Sequence, residues 1–169
     1  LATNVNFSPL FSLSAMSTND VKIFYTNVGE QASFSMTDGT SIQLNTNSIV
    51  EVAYNSNQRQ IKLIQGEAKF DVAKDSTRPF TVTAGNKYFT ALGTIFNIQK
   101  STDQDIELLV TEGKVLITKS IKVIEKSAET LGSLKLKDLP GVLVKSGEKA
   151  VIDNSTINPI KQVSLEQVQ

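Results

Sequence analysis

Gly66-Glu67-Ala68-Lys69-Phe70-Asp71-Val72 carries the plainest strand pattern in the chain. Apolar Ala68, Phe70 and Val72 alternate with charged Lys69 and Asp71, the period-two pattern of a strand with one buried face and one wet face. Ile61 and Leu63 prepare the same alternation just upstream. Phe80 and Val82 resume it behind Pro79, at a strand start where proline is tolerated.

On either side the alternation continues, from about residue 31 to 152. On the N-terminal side lie Ala32, Phe34 and Met36, an Asp38-Gly39 turn, then Ile42 with Leu44 and Val50, Val52 and Tyr54. On the C-terminal side lie Phe89 with Ala91, Phe96 with Ile98, Ile106 with Leu108 and Val110, and Val115 with Ile117. Ile121 with Val123, Leu134 with Leu136, and Val142 with Val144 complete the series. Turn residues interrupt about every eight to twelve positions, as an all-β domain requires. No window carries a 3.6-residue stripe longer than two turns, and Glu125–Leu131 reads as a helical turn or a loop. A Gly followed by Glu or Lys opens a new run at Gly29, Gly66, Gly113 and Gly147, at intervals of 37, 47 and 34 residues. Such spacing is too irregular for a strict solenoid. The expected fold is an all-β, rolled or solenoid-like, antiparallel-rich domain with irregular rungs, a β-sandwich being the alternative. Residues 21–153 form that domain. Residues 1–20 are rich in Ser and Asn and read as a linker or membrane-proximal stalk, and 154–169 as a C-terminal linker.

The 169 residues suffice for one real core, and 40% apolar with 20% charged residues is ordinary for a globular chain. Seventeen basic residues balance seventeen acidic ones, which points away from nucleic acid and from polybasic membrane docking. The chain has no His, Cys or Trp. Disulfides and thiolate chemistry are thereby excluded, and the commonest general base and metal ligand is missing. No stretch approaches the ~20 apolar residues of a membrane helix. The opening residues carry no basic signal-peptide region, so the chain reads as a segment of a longer protein.

Candidate chemistry is thin. Asp103, Asp105 and Glu107 share a strand face but lack the glycine and downstream Glu of a calcium loop, and read as a solvated edge. Glu67 and Asp71 lie on one face roughly 13 Å apart along a strand, too far for paired glycosidase carboxylates. Gly93-Thr94 lacks the lysine and companion glycines of a phosphate loop and reads as a corner between buried strands. Residues 114–149 hold eight Lys against four acidic side chains, a mild and dispersed basicity that suits solvation. No catalytic, cofactor or metal site is expected, and the chain is not read as an enzyme.

In order along the chain stand Tyr25-Thr26 with Gly29-Glu30, Met36-Thr37-Asp38-Gly39-Thr40, and Ile42-Gln43-Leu44-Asn45. Arg59 with Ile61-Lys62-Leu63, Gly66 to Val72, and Arg78-Pro79-Phe80-Thr81-Val82 follow. Then come Ala91-Leu92-Gly93-Thr94-Ile95-Phe96-Asn97-Ile98, Val110-Thr111-Glu112-Gly113-Lys114-Val115 and Gly147-Glu148. This ordered set, over roughly 24–153, resembles the FecR family of anti-sigma regulators.

The resemblance implies the periplasmic portion of a single-pass inner-membrane protein. A cytoplasmic segment of that protein holds an extracytoplasmic-function sigma factor. The periplasmic part senses an outer-membrane TonB-dependent transducer, often one that binds a ferric siderophore, and release commonly involves proteolysis of the regulator. No cofactor is implied. The motif positions Gly29, Asp38, Gly39, Gly66, Glu67, Phe70, Arg78, Pro79, Phe80, Gly93, Thr94, Phe96, Asn97, Glu112, Gly113 and Gly147 then count as scaffold. The membrane helix, the cytoplasmic segment and the small C-terminal module common in the family lie outside this chain, and the stretch 119–139 matches no family element. The alternative from another class is a carbohydrate- or ligand-binding β module of the cell envelope, which three Tyr and no Trp disfavour.

Overall fold

The computed structural model describes residues 6–8, 21–131, 135–153 and 156–160. Fourteen strands are present among them: β1 (Asn6–Ser8), β2 (Val21–Tyr25), β3 (Ala32–Ser35), β4 (Ser41–Leu44), β5 (Ile49–Tyr54), β6 (Arg59–Asp71), β7 (Phe80–Ala84), β8 (Lys87–Ala91), β9 (Ile95–Thr102), β10 (Asp105–Glu112), β11 (Lys114–Thr118), β12 (Val142–Lys145), β13 (Lys149–Asp153) and β14 (Thr156–Ile160). The helix α1 (Lys122–Leu131) lies between β11 and β12.

The thirteen-residue β6 organises the whole. Its first half pairs antiparallel with β5 and parallel with β7, and its second half pairs antiparallel with β4 and β9. One sheet therefore runs β1-β2-β5-β6-β7-β8-β11-β12, and a second runs β3-β4-β6-β9-β10-β13-β14. The strand belongs to both because it turns at Gly66, whose φ is +87°. A Cβ there would stand against Ser48 Oγ and 2.7 Å from the Asn47 carbonyl oxygen, so only glycine fits the bend. The rolled, all-β fold with irregular rungs expected from the sequence is what forms. The other glycines of the weak repeat, Gly29, Gly113 and Gly147, also sit at positive φ, at +84°, +82° and +81°.

The inward faces of the two sheets close over one core. Ala68, Phe70 and Val72 meet Phe80, Val82, Phe96, Ile98, Ile106, Leu108 and Val110 there, all buried. Phe70 lies 5.1 Å from Phe96 and 5.5 Å from Phe80 between ring centroids, in tilted contacts that add to the burial of each ring.

The stretch after β11 departs from the expected alternation. Ile121 with Val123 begins a helix rather than a strand, and Leu136–Asp138 is a 3₁₀ turn where Leu134 with Leu136 suggested a strand. Residue 134 itself lies outside the described residues. Ile121 and Ile124 are three apart, a helical spacing, and with Leu116, Leu136, Leu92, Leu139 and Leu143 they make a small second core. This lobe covers the outer side of β11, where Leu116 is buried against the alternation of its neighbours. Two strands, β1 and β14, fall within the segments read as linkers and pair with β2 and β13.

Candidate functional site

Three arrangements gather the residues singled out in the sequence. The first is an ionic clamp at the start of β6. Residues 59, 61 and 63 of an alternating strand all point inward, so Arg59 enters the core and is fully buried. Burying a guanidinium requires a partner for every donor direction. Its Nε donates to the Arg78 carbonyl at 2.7 Å, one terminal nitrogen to the Ala73 carbonyl at 2.8 Å, and the other to the Asp75 carbonyl at 3.3 Å. The Asp38 carboxylate lies 3.0 Å away, and the Phe80 ring centroid 5.8 Å from the guanidinium carbon.

Asp38 is itself held. The Thr40 backbone N–H and hydroxyl each donate to it at 3.0 Å, and the same hydroxyl oxygen accepts the Ala73 N–H at 3.1 Å. Burial pushes the Asp38 carboxyl upward, but the hydrogen bonds from Thr40 and Arg59 and the Arg59 charge outweigh it and hold it below its ordinary value. Arg78 donates to Asp75 at 3.1 Å and to the Asn55 carbonyl at 2.9 Å. Asp75 is drawn down to about 2, chiefly by the Thr77 hydroxyl, with burial opposing and Arg78 assisting. Asp38, Arg78 and Phe80 thus meet around Arg59, and the loop 73–79 is pinned by its carbonyls.

The second arrangement is the pair of corners that turn the roll. The Thr94 hydroxyl donates to the Lys114 carbonyl at 3.0 Å, and a Cβ on Gly113 would stand 2.9 Å from that hydroxyl oxygen. The Val72 N–H donates to the Thr94 carbonyl, and the Asp75 N–H to the Leu92 carbonyl. Lys74 lies directly on Gly93. Gly147 donates to the Val110 carbonyl at 2.8 Å, tying the β12–β13 turn to β10. At the opposite end Gly29 donates to Thr46 Oγ1 at 2.6 Å.

The third is the outer face of the second sheet. Glu67 projects from β6 with each carboxylate oxygen accepting a carboxamide, Asn45 Nδ2 at 2.8 Å on one side and Asn97 Nδ2 at 2.8 Å on the other. Gln31 extends the chain by donating to Asn45 Oδ1 at 3.0 Å. Two adjoining clefts, of about 220 and 350 Å³, share Glu67, Lys69 and Asn97 as lining. Across the sheet Glu107 pairs with Lys149 at 2.7 Å. Asp71 occupies another row of this face, opposite Ser41 and Ile95, and does not join Glu67. Asp103 pairs with Lys100 at 2.7 Å, apart from Glu107.

Of the sixteen motif positions, Asp38, Arg78 and Phe80 enter the clamp, Glu67 and Asn97 the polar face, and the glycines and Thr94 the corners. Phe70 and Phe96 fill the core, Pro79 precedes β7, and Glu112 is exposed at the end of β10. Arg59 and Asn45 carry the two polar networks yet were not among those sixteen.

The FecR family model, described as FecR protein, matches residues 23–116, more than half of the chain. The chain belongs to the FecR family. The matched region holds the clamp, the corner at Gly93-Thr94 and the Glu67 network, and ends at Leu116, before the α1 lobe. Two crystal structures of a candidate anti-sigma factor from Parabacteroides distasonis ATCC 8503 share the fold, with TM-scores of 0.67 and 0.66, each at 22% identity. They cover 88% and 86% of this chain, which spans 62% of each of theirs. No curated protein matches the chain.

Proposed function

We propose that this FecR-family chain is the signal-sensing domain of an anti-sigma regulator, placed in the periplasm. It relays the state of an outer-membrane TonB-dependent transducer to an extracytoplasmic-function sigma factor. The observation that carries this reading is how the motif residues are used. Asp38, Arg78, Gly66, Gly93, Thr94 and Gly113 spend their hydrogen bonds and their conformational freedom on building the roll. A scaffold specified this closely, in a chain without His or Cys, suits a domain that works by being bound.

The sigma factor itself is held by a cytoplasmic segment, reached through a membrane helix beyond residues 1–20, and residues 154–169 lead to a further module. No helix among the described residues is long and apolar enough to cross a membrane. The partner of the domain is the periplasmic signalling domain of the transducer, and the input is non-enzymatic. Calorimetric titration of the folded chain with that signalling domain tests the reading. Saturable heat supports it, whereas a folded chain that gives no heat moves transducer recognition elsewhere in the regulator.

A further inference from the structure

The outer face of the second sheet carries a row of carboxamide and charged side chains, with Leu44 and Leu109 among the residues lining its clefts. Five carboxamides, Gln31, Gln43, Asn45, Asn97 and Gln99, line its two clefts. Asn45 and Asn97 each donate to Glu67 at 2.8 Å and Gln31 donates to Asn45 at 3.0 Å, so the remaining donors and acceptors of the three are fixed in direction before anything binds. Gln43 and Gln99 flank this rigid row and make no side-chain hydrogen bond among the described residues. Both are exposed. Lys69, between Gln43 and Asn97 in the register, makes no ion pair among the described residues.

The lining charges cancel: Glu67 and Glu107 stand against Lys69 and Lys149, and the second pair is closed at 2.7 Å. Such a surface offers no field to an anionic polymer. It also lacks what a protein partner's binding energy rests on, since no aromatic, Met or Arg lines either cleft. A neutral ligand that donates and accepts many hydrogen bonds is the chemistry left.

We infer that this face binds a neutral oligosaccharide across β4, β6 and β9, its hydroxyls exchanging hydrogen bonds with Gln43, Asn97, Gln99 and the lone pairs Glu67 keeps free. The domain then has a direct small-ligand input in addition to any protein input. With no aromatic ring for a sugar to stack on, affinity rests on hydrogen bonds alone and falls in the range of roughly 10 µM to 1 mM.

The test is titration of the ¹⁵N-labelled chain with maltohexaose, cellohexaose, xylohexaose, laminarihexaose, mannohexaose and chitohexaose. At least one is expected to give saturable amide shifts centred on Gln43, Glu67, Lys69 and Asn97. The double variant Gln43→Ala/Gln99→Ala alters only exposed side chains without hydrogen bonds, so it keeps the parent spectrum and weakens that binding about tenfold or more. Absence of saturable shifts with all six sugars overturns the inference, as does binding that the double variant leaves unchanged. Loss of transducer-domain binding in the double variant, with no sugar bound by the parent, would show a protein interface here and overturn it equally.

Discussion

Replacing Arg59 by Met should be among the most damaging single changes outside the aromatic core. Arg59 is fully buried, and four of its hydrogen bonds go to one carboxylate and three loop carbonyls. Met fills much of the volume but leaves those acceptors behind. Removing one partner of a buried pair costs about 3–5 kcal/mol, since the other charge stays without compensation. Relief is partial: Thr40 still donates to Asp38, Arg78 stands 3.9 Å from it, and the Asp38 side chain is 11% exposed. A loss of about 4 kcal/mol follows, or a drop in Tm of about 10 °C for a chain of this size. Asp38→Asn keeps the three carbonyl bonds and should cost about 1–2 kcal/mol. The double variant should cost less than the sum of the two, because the second change removes a charge the first had stranded. Urea unfolding with m-values compared across the set measures this. An Arg59→Met loss below about 1 kcal/mol, or strict additivity in the cycle, would refute the clamp as the element that pins loop 73–79.

The same clamp sets an acid response. Asp38 and Asp75 both titrate below their unfolded values, so their contribution is whole above about pH 4 and is lost as pH falls through the folded values, about 2 for Asp75. Unfolding midpoints of the parent should fall steadily over that window, and more shallowly in Arg59→Met. Lys87 is 1% exposed, its ammonium bonds the Asn86 side-chain oxygen at 2.7 Å, and burial, with Lys119 adding, holds its pKa below the ordinary lysine value. The unfolded chain then binds the extra proton, so stability rises with pH toward about 10, and Lys87→Met should abolish that rise while being neutral or stabilising at pH 7. Gly66→Ala should cost about 2 kcal/mol or more by chemical denaturation. Gly29→Ala, with similar φ but nothing within 4 Å of the added Cβ, should cost about 1. Ile124→Ala should strip amide-exchange protection from α1 and leave the protection of β6 and β9 intact, since Ile124 belongs to the small second core.

Much of this fold was legible because alternation survives wherever one face of a strand is buried. Ala68, Phe70 and Val72 announced β6, and the Gly66 break announced its bend. Arg59 is instructive, since it occupies an inward position in register with Ile61 and Leu63. A charged residue at an apolar position was the available signal for the clamp. What supplies its partners, the carbonyls of Ala73, Asp75 and Arg78, carries no side-chain signature and so was invisible. The start of the α1 lobe departs from the expected alternation because Ile121 and Val123 satisfy period two by chance over a short window, whereas the helical turn offered for Glu125–Leu131 lies within the helix that forms. The polar face escaped notice for a different reason. Asn45 just beyond β4, Glu67 in β6 and Asn97 in β9 are spread over 52 positions, and only the pairing of those strands brings them together.

The role proposed for this domain is that of a scaffold bound by a partner in signalling. Calorimetry between the folded chain and the periplasmic signalling domain of a TonB-dependent transducer, the partner proposed for it, tests this role. A saturable, roughly one-to-one interaction at micromolar strength, about −8 kcal/mol, is expected. A chain shown to be folded by its amide spectrum, yet giving no heat and no shift at any accessible concentration, would contradict it.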